Sequence, residues 1–169
     1  MQRRGILKNM AESLPLKIIS GGQTGADIGG LMAARESGIP TGGTAPSGWL
    51  TENGPKKKML ESFGLVECAE SGYPARTRLN VLESDGTLIV GNHESGGSAL
   101  TIEYAKEARK AIFLIAVSDE VAESETARFR NWLDTENVRV LNVAGNRESV
   151  SPGIAEFTRR FLSTALRAH

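Results

Sequence analysis

"SGGQTGAD", residues 20–27, closes the apolar run "PLKIIS" of residues 15–20 and opens into "IGGLMAARESG" at 28–38. A short run with β-branched residues that ends in glycine and is followed by a helical pattern reads as a strand handing over to a helix. Three glycines, a Gln and a Thr at that junction allow close backbone approach, and free amides at a helix N-terminus attract anions. The stretch predicts a βα unit with a phosphate-like ligand on the amides of residues 21–25.

The same alternation continues along the chain. Strand-like runs stand at "IPTGGTA" (39–45), "LVECAE" (65–70), "GTLIVGN" (86–92), "AIFLIAV" (111–117) and "VRVLNVAG" (138–145). Between and after them, helix-period segments fall at 26–37, 74–84, 98–109, 120–135 and 152–167. Strands that alternate with helices imply βαβ units and a parallel sheet covered on both faces, and the continuous apolar runs "TLIV" and "IFLIAV" suit strands buried on both sides. The expected fold is a three-layer α/β domain with a mostly parallel sheet of five or six strands, formed by residues 15–169. Residues 1–14, basic and polar without a clear period, read as a mobile tail.

Helix ends and faces can be read in the same way. Ser151-Pro152 has the form of an N-cap followed by proline at the first helical position, with Ile154, Phe157, Phe161 and Ala165 repeating on one face. Thr24 and Asp27 have capping-box spacing, and Ile28, Leu31 and Met32 form the expected buried stripe behind them. Phe129, Trp132 and Leu133 take that part in the 120–135 helix. In the 74–84 helix, Ala75, Leu79 and Leu82 form the expected apolar stripe, with Arg76, Asn80 and Glu83 on a neighbouring solvated face. The stretch "PSGWLTENGPKKK" at 46–58 has turn residues and no period, and reads as a long loop.

Composition narrows the functional classes. The 169 residues are 40% apolar and 24% charged, enough for one core and too few for two ordinary domains. A formal net charge of zero gives no basic field for nucleic acid. No run is long enough to span a membrane and no signal-peptide core stands at the N-terminus, so the expected location is the cytoplasm. Cys68 is the one cysteine, which excludes an internal disulfide and a Cys-based zinc motif, and it reads as a small buried apolar residue. His93 and His169 form no metal-ligand spacing with it, so no metal site is expected in the protein.

In a doubly wound sheet, ligands lie outside the carboxyl ends of the strands. The loops there are "GGQTG" (21–25), "NHESGGS" (92–98) and "GNRES" (145–149), and two of them enter helices through small residues. One shared anion site is the economical reading, with Gly21, Gly22, Gln23, Thr24, Gly25, Gly96, Gly97 and Ser98 around it and Arg147 as a bidentate donor. Neither the Lys-Ser/Thr pair of a P-loop nor G-x-G-x-x-G spacing is present, and no acidic residue ends the second strand, which excludes ordinary ATPase and dehydrogenase fingerprints.

"RTRLNVLESDGTLIVGNHESGGSALTIE" (76–103), taken with "SGGQTGAD" and "LNVAGNRESVSPGI", resembles the molybdenum carrier family of Rossmann-like proteins. That resemblance covers the chain after the tail and implies binding of the molybdenum cofactor, a phosphorylated pyranopterin. More distantly, the stretch is similar to the lysine-decarboxylase-like phosphoribohydrolases that activate cytokinins, whose pattern is R-K-x-x-M-x-x-x-A-D followed by P-G-G-x-G-T-x-x-E. Arg76, Asp85, Gly96, Gly97 and Glu103 match it, while Thr77, Asn80, Ser95 and Ala99-Leu100 depart from it. The matches imply Arg76 and Glu103 as the catalytic pair of a hydrolase that cleaves the N-glycosidic bond of a nucleoside monophosphate; the altered phosphate cradle argues for a carrier. A nucleotide-sensing module is the third alternative. Both resemblances imply a homo-oligomer, a dimer or tetramer.

Other residues have structural readings of their own. Asp27 suits the helix dipole, and Glu103 in the second turn of its helix does too. Asp85 before Gly86 reads as a turn residue at the far edge. His93 is either an anion donor or a solvated loop histidine. Lys56, Lys57 and Lys58 are a solvated run or a basic rim that draws an anion inward.

Overall fold

The β-branched and aliphatic runs become strands, and the amphipathic segments become helices that cover them. The computed structural model describes residue 15 and residues 17–167; the tail expected at 1–14 lies outside the described residues. In chain order the elements are β1 (Lys17–Ile19), α1 (Ala26–Glu36), β2 (Thr41–Ala45), a 3-10 turn (Ser47–Trp49), β3 (Leu50–Thr51), β4 (Gly54–Pro55), α2 (Lys57–Ser62) and β5 (Leu65–Glu67). They continue as α3 (Tyr73–Glu83), β6 (Gly86–Val90), α4 (Gly96–Glu107), β7 (Ala111–Ile115), α5 (Glu123–Thr135), β8 (Val140–Gly145) and α6 (Ile154–Ala165).

Six strands form one sheet in the order β5-β2-β1-β8-β6-β7, and every pairing in it is parallel. The expected Rossmann-like α/β sheet is what forms. The chain winds outward from β1 to β5, crosses to β6 and β7, and returns through α5 to lay β8 between β1 and β6. Residues 46–58, read as a loop, instead fold into the 3-10 turn, the antiparallel β3-β4 hairpin and the start of α2.

Strand side chains alternate between two covered faces. Ile18, Leu88, Val90, Phe113, Leu141 and Val143 point to one face and pack with α1, α5 and α6. Phe113, Phe129, Trp132 and Phe161 make a chain of aromatic contacts there, with centroids 5.1 to 5.5 Å apart between successive partners such as Phe113 with Phe129 and Phe113 with Trp132. Burying a side chain of this kind stabilises the fold by about 1.5–3 kcal/mol. The α6 stripe is as expected, with Ile154, Phe157, Phe161 and Ala165 all buried.

The buried face of α1 differs from the expected stripe. Leu31 is buried, but Met32 is exposed, and the inner face consists largely of small residues. The reason is close approach: a Cβ on Gly29 would stand 2.4 Å from the Ala155 carbonyl oxygen, so α6 lies almost on the α1 backbone.

Two of the expected caps are also replaced. Gly25 is the N-cap of α1 and makes no side-chain cap bond, so Thr24 and Asp27 do not form a capping box. Helix α6 starts at Ile154 behind a left-handed Gly153, with Ser151-Pro152 in the preceding turn. The carboxylate of Glu148 supplies the cap instead, accepting from Gly153 N at 2.6 Å and Ala155 N at 3.1 Å.

Helices α3 and α4 pack together on the other face of the sheet. The face of α3 turned inward carries Asn80 and Val81, while Leu79 and Leu82 are exposed, the reverse of the expected stripe. Asn80 is the cause. Its Oδ1 accepts from Thr44 N at 2.8 Å and its Nδ2 donates to Thr44 O at 2.9 Å, so the amide clamps α3 to β2. Cys68 is buried and free, as expected.

Candidate functional site: a cleft at the carboxyl edge of the sheet

The topology brings the carboxyl ends of β1 and β8 and the starts of α3 and α4 around one cleft of about 490 Å³. Gln23, Asp27, Tyr73, Arg76, Ser98 and Arg147 contribute to its lining, as do Gly96, Gly97 and the β8 loop. This is the crevice where strand connections diverge, the usual place for a ligand in an open parallel sheet.

The glycine loop holds its own anion. Gln23 N donates to Asp27 Oδ2 at 3.2 Å. Gly22 N turns to Ser20 Oγ at 3.2 Å, and Thr24 N to Gln23 Oε1 at 3.1 Å. Three amides of the 21–25 segment, where an external anion was expected, thus have partners within the chain. Arg76 completes the pair: its Nη1 lies 3.3 Å from Asp27 Oδ2, with side-chain exposures of 12% and 6%. Burial pushes the Asp27 carboxyl above its ordinary range, and the Arg76 charge opposes that shift only in part.

Positive charge also lines the cleft. Arg76 and Arg147 both approach the ring of Tyr73, with guanidinium carbons 5.3 and 5.2 Å from its centroid. Helix α4 begins after Ser95 with no side-chain cap bond and no acidic residue in its first turn. Its first amides and dipole therefore remain uncompensated by the chain itself.

Three buried polar atoms of lining residues have no hydrogen-bond partner: Gln23 Nε2, Arg76 Nε and Ser98 Oγ. Buried polar groups are ordinarily paired, and stranding one costs about 1–3 kcal/mol. All three belong to residues that line this one cleft.

Two residues that sequence reasoning missed hold this geometry. Glu52, at the tip of the β3-β4 hairpin, accepts from the hydroxyls of Thr24 and Ser149 and from Ser149 N at 3.2 Å. Its own amide donates to Gln23 Oε1 at 2.8 Å. Those hydrogen bonds hold its carboxyl below the ordinary Glu range. Asn146 binds both sides of the Asn92 backbone, at 2.7 Å through Oδ1 and 2.9 Å through Nδ2, and its carbonyl accepts from Ala26 N at 3.2 Å. No local pattern announces such long-range ties. Tyr73 could have been found, since Gly72-Tyr73-Pro74 is a helix-start signal with proline in the first turn.

The remaining expected residues lie apart. Glu103 is exposed on α4 and is not among the residues lining the cleft. His93 borders an adjoining hollow with Asn92, Glu94 and Val117. Lys56, Lys57 and Lys58 are exposed at the start of α2, where Lys57 pairs with Glu61 at 3.9 Å. Asp85 accepts from Arg139 N and Val140 N at 3.0 and 2.7 Å, fixing the start of β8 at the opposite edge. Among the described residues, no group of three or more His, Cys, Asp or Glu side chains is placed to hold a metal ion. No helix among them is long and apolar enough to cross a membrane.

The parallel sheet, its strand order and the cleft at its carboxyl edge define a Rossmann-like α/β protein. More particularly, residues 18–166 match the circularly permutated YpsA SLOG family, and the chain belongs to that family. A crystal structure of a "Putative molybdenum carrier protein" from Syntrophus aciditrophicus SB is similar to it, with 39% identity and a TM-score of 0.83 over 90% of this chain and 96% of that one. No curated protein matches the chain. The last strand in sequence, β8, is a central strand in space.

Proposed function

We propose that this protein binds and carries a phosphorylated small-molecule cofactor, and that the molybdenum cofactor is its first candidate ligand. The observation that carries the reading is the set of unpartnered buried atoms, Gln23 Nε2, Arg76 Nε and Ser98 Oγ, on residues lining one cleft. All three are donors, and Arg147 and the uncapped start of α4 add positive potential beside them. Such a donor set suits a phosphorylated ligand, whose phosphate and neutral polar groups together accept several hydrogen bonds. The name of the Syntrophus aciditrophicus protein supports carriage of a molybdenum species as the biological setting. A resident metal is not part of the proposal, so any molybdenum arrives within the ligand.

Calorimetric titration with purified molybdenum cofactor, adenosine monophosphate and inorganic phosphate tests the reading, with parallel assay for free base and ribose 5-phosphate. Binding of the cofactor in preference to the nucleotide, without release of base, is the expected result. Preference for the nucleotide without turnover would favour a sensing module. Base release that is lost in Glu103→Gln would replace the carrier with the phosphoribohydrolase. Failure of all three ligands at millimolar concentration would refute a phosphate site.

A further inference from the structure

We infer that Asp27 and Gln23 recognise the uncharged, hydrogen-bonding part of the ligand, and that the phosphate lies at the α4 end of the cleft instead of on the glycine loop. This rests on the phosphorylated-ligand reading above. Within the loop, the amide of Gln23 already serves the Asp27 carboxylate, and those of Gly22 and Thr24 serve Ser20 and Gln23. A second anion there would compete for committed donors and face a carboxylate at close range. The Arg76 guanidinium, 3.3 Å from Asp27 Oδ2, is likewise already engaged by that carboxylate, so this end has little left to hold a phosphate.

What it offers instead is an acceptor beside a donor. Asp27 is 5% exposed and lines the cleft, and its carboxylate accepts hydrogen bonds from neutral groups. Gln23 is 6% exposed, and its Oε1 is committed to the amides of Thr24 and Glu52, which fixes the orientation of the side chain and leaves Nε2 without a partner. A ligand group that gives one hydrogen bond and accepts another fits this pair. Two sources share that chemistry: adjacent hydroxyls of a sugar, and the N–H and carbonyl edge of a pterin.

The test measures affinity for inorganic phosphate, ribose 5-phosphate and 6-hydroxymethylpterin monophosphate in the wild type, Asp27→Asn and Gln23→Glu. Gln23→Glu keeps the oxygen used by the two amides and loses the donor. It also serves if Asp27→Asn is unstable, and dividing each organic affinity by that for phosphate cancels effects on the anion end. The wild type is expected to bind one organic phosphate about tenfold or more tighter than inorganic phosphate, with the tighter one identifying the source. That ratio should fall to about twofold or less in Gln23→Glu. An undiminished ratio in Gln23→Glu, or no organic advantage in the wild type, overturns the inference while leaving the phosphate reading intact. Absence of phosphate binding by the wild type overturns both.

Discussion

The guanidinium of Arg76 occupies the space that a side chain at residue 21 would need: a Cβ built on Gly21 would stand 1.7 Å from Arg76 Nη1. The glycine is therefore a seat for the arginine. Gly21→Ala should push Arg76 off Asp27 and destabilise the fold by about 3 kcal/mol, the order of cost for breaking a buried ion pair. Chemical denaturation measures it, and an unchanged midpoint would show that the pair forms without this seat.

Arg147 and Glu103 separate binding from hydrolysis by charge and position. Arg147 is exposed beside the Tyr73 ring, and Arg147→Ala should weaken phosphate binding about tenfold while changing stability by less than about 0.5 kcal/mol. Glu103→Gln should leave affinity and stability where they were. Calorimetry on both variants checks this, and an affinity loss in Glu103→Gln would place that carboxylate at the ligand after all.

Asn80→Ala removes the clamp on Thr44 and leaves a buried backbone N–H and C=O without partners. Each stranded group costs about 1–3 kcal/mol, so a loss of about 3 kcal/mol is expected in denaturant unfolding. Asn80→Asp keeps an acceptor for Thr44 N but removes the donor to Thr44 O, and should also destabilise. A neutral result in Asn80→Ala would mean that α3 is held to β2 by packing alone.

Glu52 gives a pH dependence of definite sign. Its carboxyl is lowered from an ordinary value of 4.5, first by the Ser149 and Thr24 hydrogen bonds, so the folded state favours the ionised form. The resulting stability is present above 4.5 and lost as pH falls through the lower folded value. Glu52→Gln should be less stable than wild type at neutral pH, with the gap closing in acid. Asp27, raised by burial, contributes with the opposite sign, but it is common to both proteins and cancels in the difference. An equal gap at pH 3 and pH 7 would rule out this role of the carboxylate.

We propose that the exposed Leu79 and Leu82 of α3 meet a second copy of the chain. They are 38% and 47% exposed, on the helix that also carries Arg76 and Tyr73. Light scattering at micromolar concentration should give at least a dimer, and Leu82→Asp should reduce it. A monomeric wild type would refute the assembly implied by the family resemblances.

The parts of this fold legible in sequence are those whose cause is local. "GTLIV" becomes a strand buried on both faces, as its continuous apolar run suggests, whereas "AIFLI" becomes the edge strand β7 with Leu114 exposed; Ile154, Phe157 and Phe161 fall on one face at the helical period. On α3 the same reasoning fails, because Asn80 is buried by a partner 36 residues away that periodicity cannot see. Likewise Thr24 and Asp27 match a cap in spacing, yet Glu52 and Arg76 draw their side chains elsewhere. Of the residues expected at the site, Gln23, Arg76, Gly96, Gly97, Ser98 and Arg147 line the cleft and Gly21, Gly22, Thr24 and Gly25 do not, while Tyr73 and Asn146 line it and Glu52 braces Gln23 and Ser149 from outside through tertiary contacts.

The place of β8 has a consequence for biosynthesis. Strands β1 and β6 both pair with β8 and with no strand of the other group, so a nascent chain that has emerged only through α5 holds two half-sheets with nothing between them. Non-local pairing of this kind is slow and leaves unpaired edges exposed until it is made. Arg147, Ser149 and the Asn146 clamp arrive in the same late segment, so a stalled or truncated product has neither a closed sheet nor a complete cleft. If the cleft holds a ligand as proposed, capture is thereby confined to chains whose synthesis has passed β8.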